Sequence, residues 1–219
     1  MDDLSLSYLF EHSGEIFDLA VEHLVLSVTV IVLGFGIALP LGLLATRFRR
    51  LTLPLLASLG ALYTVPSLAF LAVLIPSLGL GRDNAIVVLV AYAQIFLVRN
   101  IVAGLRGVDP PTLEAARGIG MTPWQVFRQV RWPLALPIVM AGIRTALVTT
   151  ISLATVAAAV AGGGLGELLF TGLGRPAKVG LPMILAGAIA ITSLAILSDL
   201  VLRVAERQTA ATRARRAAR

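Results

Sequence analysis

The chain of 219 residues is 58% hydrophobic and only 14% charged, more apolar surface than a soluble globule of this size can hide, which marks a membrane protein. The absence of cysteine excludes disulfides, thiolate metal ligands and cysteine nucleophiles. A net charge of +6, from 18 Lys and Arg against 12 Asp and Glu, would suggest nucleic acid in a soluble protein; here membrane topology accounts for it better.

Residues 1–20 carry Asp2, Asp3, Glu11, Glu15 and Asp18 but no basic residue, so the segment is not a signal peptide, which opens with positive charge. Leu6, Leu9, Phe10, Ile16, Phe17 and Leu19 make it partly amphipathic and predict an extracytoplasmic helix lying at the membrane surface. The first span is expected from Leu24 to Ala45, close to the ~20 apolar residues that cross the hydrocarbon core. Gly34, Ala38 and Gly42 fall four apart on it, a stripe of small residues that permits close helix contact. Arg47, Arg49 and Arg50 follow. The second oily region, Leu53 to Leu80, is divided by Pro54, Pro66 and Pro76 and is long enough to cross with a tilt or kink. After a turn at Gly79–Asn84, a third span covers Ala85 to Val98 and continues as a less oily helix towards Leu105.

From Leu105 to Pro133 the oily pattern stops, and two short helices with a sharp corner are expected. Asp109 is placed to cap the first, with Pro110 at its first position, where a missing N–H is harmless. Leu113, Glu114, Ala115 and Ala116 continue it to an exit at Gly118 or Gly120. Thr122, Pro123 and Gln125 form a capping-box pattern for the second. That helix should show an apolar face (Val126, Phe127, Val130) and a basic one (Arg128, Arg131).

A fourth span is expected from Leu134 to Ala161, ending in Gly162–Glu167; an amphipathic piece (Leu168 to Lys178) leads to a fifth, Leu181 to Leu202. The tail, with Arg203, Arg207, Arg213, Arg215, Arg216 and Arg219, is too polar to fold alone and suits anionic lipid headgroups better than nucleic acid. With five spans and the N-terminus outside, 14 of the 18 basic residues fall on one face. Arg82, Arg175 and Lys178 lie on the other, and Arg144 lies within a span. The positive-inside rule then puts the central loop and the C-terminus in the cytoplasm.

Glu114-Ala115-Ala116, three residues, Gly120, nine residues, Val130, one residue and Trp132-Pro133 resemble the EAA loop of ABC-importer permeases, a pattern written EAA-x3-G-x9-I-x-L-P. The chain departs mildly at Val130 and more at Trp132. Further blocks, Tyr63–Ala69, Gly104–Pro110, Ala141–Ala146 and Gly162–Gly166, resemble the permeases of importers for glycine betaine, choline, carnitine and related quaternary amines. The resemblance runs from about Val21 to Leu202.

It implies an all-α integral membrane fold of the type I, methionine-permease-like kind: a permease domain over 21–203 with its coupling loop at 106–133, an acidic segment at 1–20 and a basic tail at 204–219. It also implies a second permease copy or paralogue, two cytoplasmic ATPase subunits that bind ATP and magnesium, and a separate extracytoplasmic binding protein. Glu114, Ala115, Ala116, Gly118, Gly120 and Met121 are the implied ATPase-coupling residues. No cofactor, metal or catalytic residue is expected in this chain, which also lacks a Walker A pattern.

Each candidate has a plainer reading. Alone, Glu114 is an acid that stabilises an early helix turn; with Ala115, Ala116, Gly120 and the cytoplasmic placement, docking is favoured, and its carboxylate is expected to hold the loop backbone or Arg117. Trp124 and Trp132 are expected as interfacial anchors. Arg144 is expected near the cytoplasmic interface, snorkelling or paired, and Asp199 with Arg203 as a local ion pair. Gly162, Gly163 and Gly164 suit a helix end as well as a gate. Tyr63, Pro66 and Ser67 are polar or kinking residues in an oily span that could face a pathway. Phe35, Tyr63, Phe70, Tyr92 and Phe96 are scattered along the sequence, so no aromatic cage for a quaternary ammonium is legible. His12 and His23 stand outside any metal-ligand spacing. The competing classes are a membrane enzyme, which needs clustered acids, His or a Ser/Lys pair at membrane depth, and an ion-coupled carrier, for which only Glu167 and Asp199 come near. Within the resemblance, the runner-up is a methionine-like amino-acid permease.

Overall fold

The structure is a computed structural model that describes residues 8–217, with side chains through Val204 and at Glu206; residues 1–7 and the side chains of the tail arginines from Arg207 onward lie outside the described residues. After a helical turn at residues 8–11, eight helices follow in order among the described residues: α1 (Ser13–Arg47), α2 (Arg49–Tyr63), α3 (Ser67–Leu78), α4 (Arg82–Arg106), α5 (Pro110–Gly118), α6 (Pro123–Val160), α7 (Gly166–Leu173) and α8 (Ala177–Ala217). Among the described residues there is no strand. α1, α4, α6 and α8 are each long and apolar enough to cross a membrane, and α2 with α3, bent by 91°, pass the same test only as a pair, which gives four crossings or, with that pair as one broken span, five. Large apolar side chains such as Val32, Leu53, Val73, Leu197 and Val201 face outward, as a lipid-immersed bundle requires.

α4 is the centre of the bundle. Ala93, Leu97 and Ile101 on one face meet the small-residue stripe of α1, where Gly34 packs against Leu97 and Gly42 against Ile101. Ala38 is fully buried between them, as the spacing predicted. Its other faces receive α6, where Gly104 lies under the Ala135 carbonyl and Gly142 under Asn100, and the broken α2–α3 pair. Buried amides join the helices by backbone bonds: Gln94 Nε2 donates to Gly34 O at 3.1 Å, and Asn84 Nδ2 to Leu71 O at 3.1 Å and Gly79 O at 3.0 Å.

Hydrogen bonds fix the two ends of the bundle. At one end an Arg106 amino group donates to Ala45 O at 2.7 Å and to the Thr52 hydroxyl, gathering α1, α2 and α4. At the other, Gly81 N donates to Val160 O at 2.7 Å and Gly164 N to a Glu22 carboxylate oxygen at 3.1 Å, gathering the start of α1, the α3–α4 turn and the end of α6. The Arg-rich segments share the first end, in keeping with a cytoplasmic face there.

Three expectations change. The acidic N-terminal stretch is not a separate surface helix from residue 13 on: it prolongs α1 without a break, because Ile16 is buried against Leu165, Leu168 and Met183. The second short helix and the fourth span are one helix, α6. The tail backbone continues α8 to Ala217, since a helix already nucleated by a span extends at little cost.

A Cβ at Gly42 would stand 2.5 Å from Ile101 Cγ2, whereas one at Gly36 meets open space. Gly42→Val should therefore destabilise by about 1–3 kcal/mol through overpacking, and Gly36→Val by much less. Thermal unfolding of both purified variants in one detergent checks the difference.

Candidate coupling corner and broken span

The polar corner is built by local rules. Asp109 occupies the cap position of α5, but its side chain caps no backbone N–H; with Pro110 and Pro111 following, its carboxylate accepts instead from the Thr112 hydroxyl at 3.4 Å. At the exit, Gly120 N donates to Arg117 O at 2.9 Å and Met121 N to Ala116 O at 3.2 Å. These are the paired bonds of a Schellman turn, with Gly120 at the left-handed position (φ +87°). The helix thus ends at Gly118 and turns at Gly120. Thr122 and Gln125 then close the expected capping box, Thr122 N donating to Gln125 Oε1 at 2.8 Å and Gln125 N to the Thr122 hydroxyl at 3.4 Å.

This geometry sorts the predicted residues. Glu114, Ala115, Gly118 and Gly120 are exposed, Met121 is half-buried, and Ala116 is buried against the bundle. The Glu114 carboxylate makes no hydrogen bond or ion pair with any described residue, so neither Arg117 nor the loop backbone holds it. Exposed Ile119 and Trp124 extend the outward face, and Trp124 stacks on Phe127 with ring centroids 5.7 Å apart.

Between corner and membrane, Val126–Arg131 forms a π-helical turn that closes with Trp132 N donating to Phe127 O. It stands just before Pro133, which has no N–H for the ordinary ladder and would crowd the carbonyl one turn back; the wider turn lets the helix continue. Val126 is buried, Phe127 and Val130 half-buried, and Arg128 exposed. Arg131 belongs to no free basic face: its Nε donates to Leu105 O at 2.9 Å, fastening α6 to the end of α4. The fastening bonds of Arg106 and Arg131 have no signal in the sequence, because they run to backbone carbonyls of other helices.

The pathway candidates fall at two joints. Tyr63, Pro66 and Ser67 lie at the α2–α3 break, where Tyr63 is 38% exposed. Four of the five aromatic side chains that are scattered along the sequence meet here. Tyr63 packs edge-on against Tyr92 at 5.6 Å and Phe96 at 5.2 Å, and Phe70 against Tyr92 at 5.8 Å. The Tyr92 hydroxyl donates to Val65 O at 2.6 Å and pins the broken backbone.

Gly162, Gly163 and Gly164 are buried at the other joint, following Ala161 in a left-handed conformation (φ 60°). Gly163 and Gly164 also have positive φ, and a Cβ on either would strike Glu22 or His23. His23, fully buried, has its Nε2 2.8 Å from Ile151 O. Arg144 is paired, 3.2 Å from Asp199 and 3.6 Å from Glu206, and Asp199 also holds Arg203 at 2.6 Å.

The family described as binding-protein-dependent transport system inner membrane component matches residues 38–210. A glycine betaine/carnitine/choline transport system permease protein of Bacillus subtilis (strain 168) is 42% identical over 203 residues, 93% of this chain and 92% of its own. A choline transport system permease protein of the same organism is 41% identical over 203 residues, with the same coverage. Among solved structures, the methionine ABC transporter MetNI in an inward-facing conformation superposes with a TM-score of 0.71 at 26% identity, covering 86% of this chain and 95% of that one.

Thr122→Ala removes one half of the capping box and should loosen the start of α6 by about 1 kcal/mol. Hydrogen exchange should then quicken roughly fivefold at the Gln125 amide and stay unchanged along α4.

Proposed function

The chain belongs to the family of binding-protein-dependent transport system inner membrane components, and on that premise we propose that it forms the translocation pathway for a quaternary-amine osmoprotectant such as glycine betaine, choline or carnitine. The observation that carries the mechanism is the corner: an exposed, sharply capped turn on a helix that continues through the bundle. Glu114, Ala115 and Gly118 present the surface that seats on an ATPase subunit. Ala116 packs the corner onto the bundle, and Gly120 and Met121 set its angle. The unpartnered Glu114 carboxylate suits this role, since its hydrogen-bonding capacity is left for another chain.

In this reading two permease copies, or this chain and a paralogue, stand above two cytoplasmic ATPases, which bind the ATP and magnesium. A separate extracytoplasmic binding protein delivers substrate. Closure of the ATPases moves the corners, and the spans rock between inward- and outward-open states. The chain's own contribution is conformational, and no acid–base step is assigned to it. The substrates for which the two B. subtilis relatives are named favour quaternary amines over the methionine of the structural neighbour.

Reconstitution with the ATPase and binding protein tests the reading. Quaternary amines should stimulate ATP hydrolysis and accumulate in the vesicles, and methionine should do neither; uptake that persists without the ATPase would contradict it. Gly120→Pro forces φ to about −65° where the backbone requires +87°, and deletes the Gly120 N–H that bonds Arg117 O. That variant should insert normally yet lose uptake, with hydrolysis no longer responding to substrate. Normal transport by it would count against the assigned corner.

A further inference from the structure

We propose that Tyr63, Phe70, Tyr92 and Phe96 form the permease's own contact site for the trimethylammonium head of the substrate, at the break in the second span. The inference rests on the quaternary-amine reading above and adds to it the residues that meet the cargo inside the membrane.

Three observations converge. The first is depth. Tyr92 lies ten residues along α4 from Arg82, or about 15 Å at the helical rise, which is half of a ~30 Å hydrocarbon core. The rings therefore gather near the bilayer midplane, where transporter sites with discontinuous helices are found.

The second is the break itself. α2 and α3 meet at 91° across Thr64–Pro66, and non-helical backbone at membrane depth is tolerated where it is buried in protein or lines a cavity. Here the stretch is exposed from Tyr63 to Pro66, so it is not protein-covered within this chain. The Tyr92–Val65 bond holds the break in one shape, which makes it a formed surface rather than a frayed end.

The third is chemistry. A quaternary ammonium has no N–H to donate, so carboxylates and carbonyls cannot hold it by hydrogen bonds; electron-rich ring faces attract it and replace part of its water. Tyr63 offers an accessible ring, with half-buried Phe96 beside it and Phe70 on the far side of the buried Tyr92. Across α2, α3 and α4 the sole carboxylate is Asp83, at the outer end of α4. The cargo thus meets rings without a buried counter-charge, which suits transit, where a site must release what it receives.

The test uses the full complex in proteoliposomes, measuring radiolabelled choline transported per ATP hydrolysed. Tyr63→Leu and Phe96→Leu should each lower that ratio about five- to tenfold, the loss of one cation–π partner in a desolvated site. Assembly and binding-protein-stimulated hydrolysis should persist, and Tyr63→Phe, which keeps a ring, should stay within about twofold of the parent. Should Tyr63→Leu fail to assemble, Phe96→Leu decides in its place. Leucine variants that move choline with the parent's ratio overturn the site while leaving the proposed function standing. A parent complex that moves no quaternary amine overturns both.

Discussion

The stiffness of α6 is the constraint on which the rest depends. One helix carries the cytoplasmic corner into the bundle and emerges at the opposite end, 38 residues in all, about 57 Å at the helical rise. Prolines interrupt its ladder at Pro133 and Pro137, and before the first of them the π turn keeps the helix continuous while Arg131 ties it to the Leu105 carbonyl of α4. Arg106 performs the same service for α1 and α2. In the proposed cycle, a push on the corner would therefore arrive in the bundle instead of being absorbed by a flexible link.

The far ends of the spans are built in the opposite way. There α3 ends in the glycine turn that leads into α4, and α6 is followed by a left-handed alanine and a run of glycines. These two joints are connected, because Gly81 N in the α3–α4 turn bonds Val160 O at the end of α6. A shift of α6 along its axis therefore pulls on the turn that follows the broken span. Glu22 and His23 of α1 close over the glycine run, so α1 is coupled to the same joint. Towards the other end, Asp199 of α8 pairs with Arg144 of α6, so the arginine within the span has its counter-charge inside the chain.

Features governed by neighbours in sequence were legible in the sequence. The Thr122–Gln125 box, the glycine corner at Gly120 and the Asp199–Arg203 pair all depend on residues three to five apart. The Gly34–Ala38–Gly42 stripe was legible too, because helical periodicity puts the three on one face whatever partner they meet. What depended on distant segments was not. The aromatic side chains lie on three helices, and nothing in their spacing along the chain predicts that Tyr63 meets Tyr92 and Phe96. The Glu22–Gly164 bond spans 142 positions, and the glycine run was ambiguous without it. The continuity of α6 was obscured for another reason: a proline after a polar segment ordinarily ends a helix, and a π turn that rescues it has no sequence signature. The acidic N-terminal stretch reads as a surface helix because the partners that bury Ile16, on α7 and α8, lie far along the chain.

The central claim is that the exposed corner is the place where another subunit's nucleotide cycle grips this bundle. Because the chain contains no cysteine, a single Glu114→Cys substitution gives an unambiguous chemical probe. A membrane-impermeant maleimide should label it from the cytoplasmic face alone, and binding of the ATPase subunit should protect it. Labelling from the outer face, or labelling that the ATPase leaves unchanged, would contradict the account.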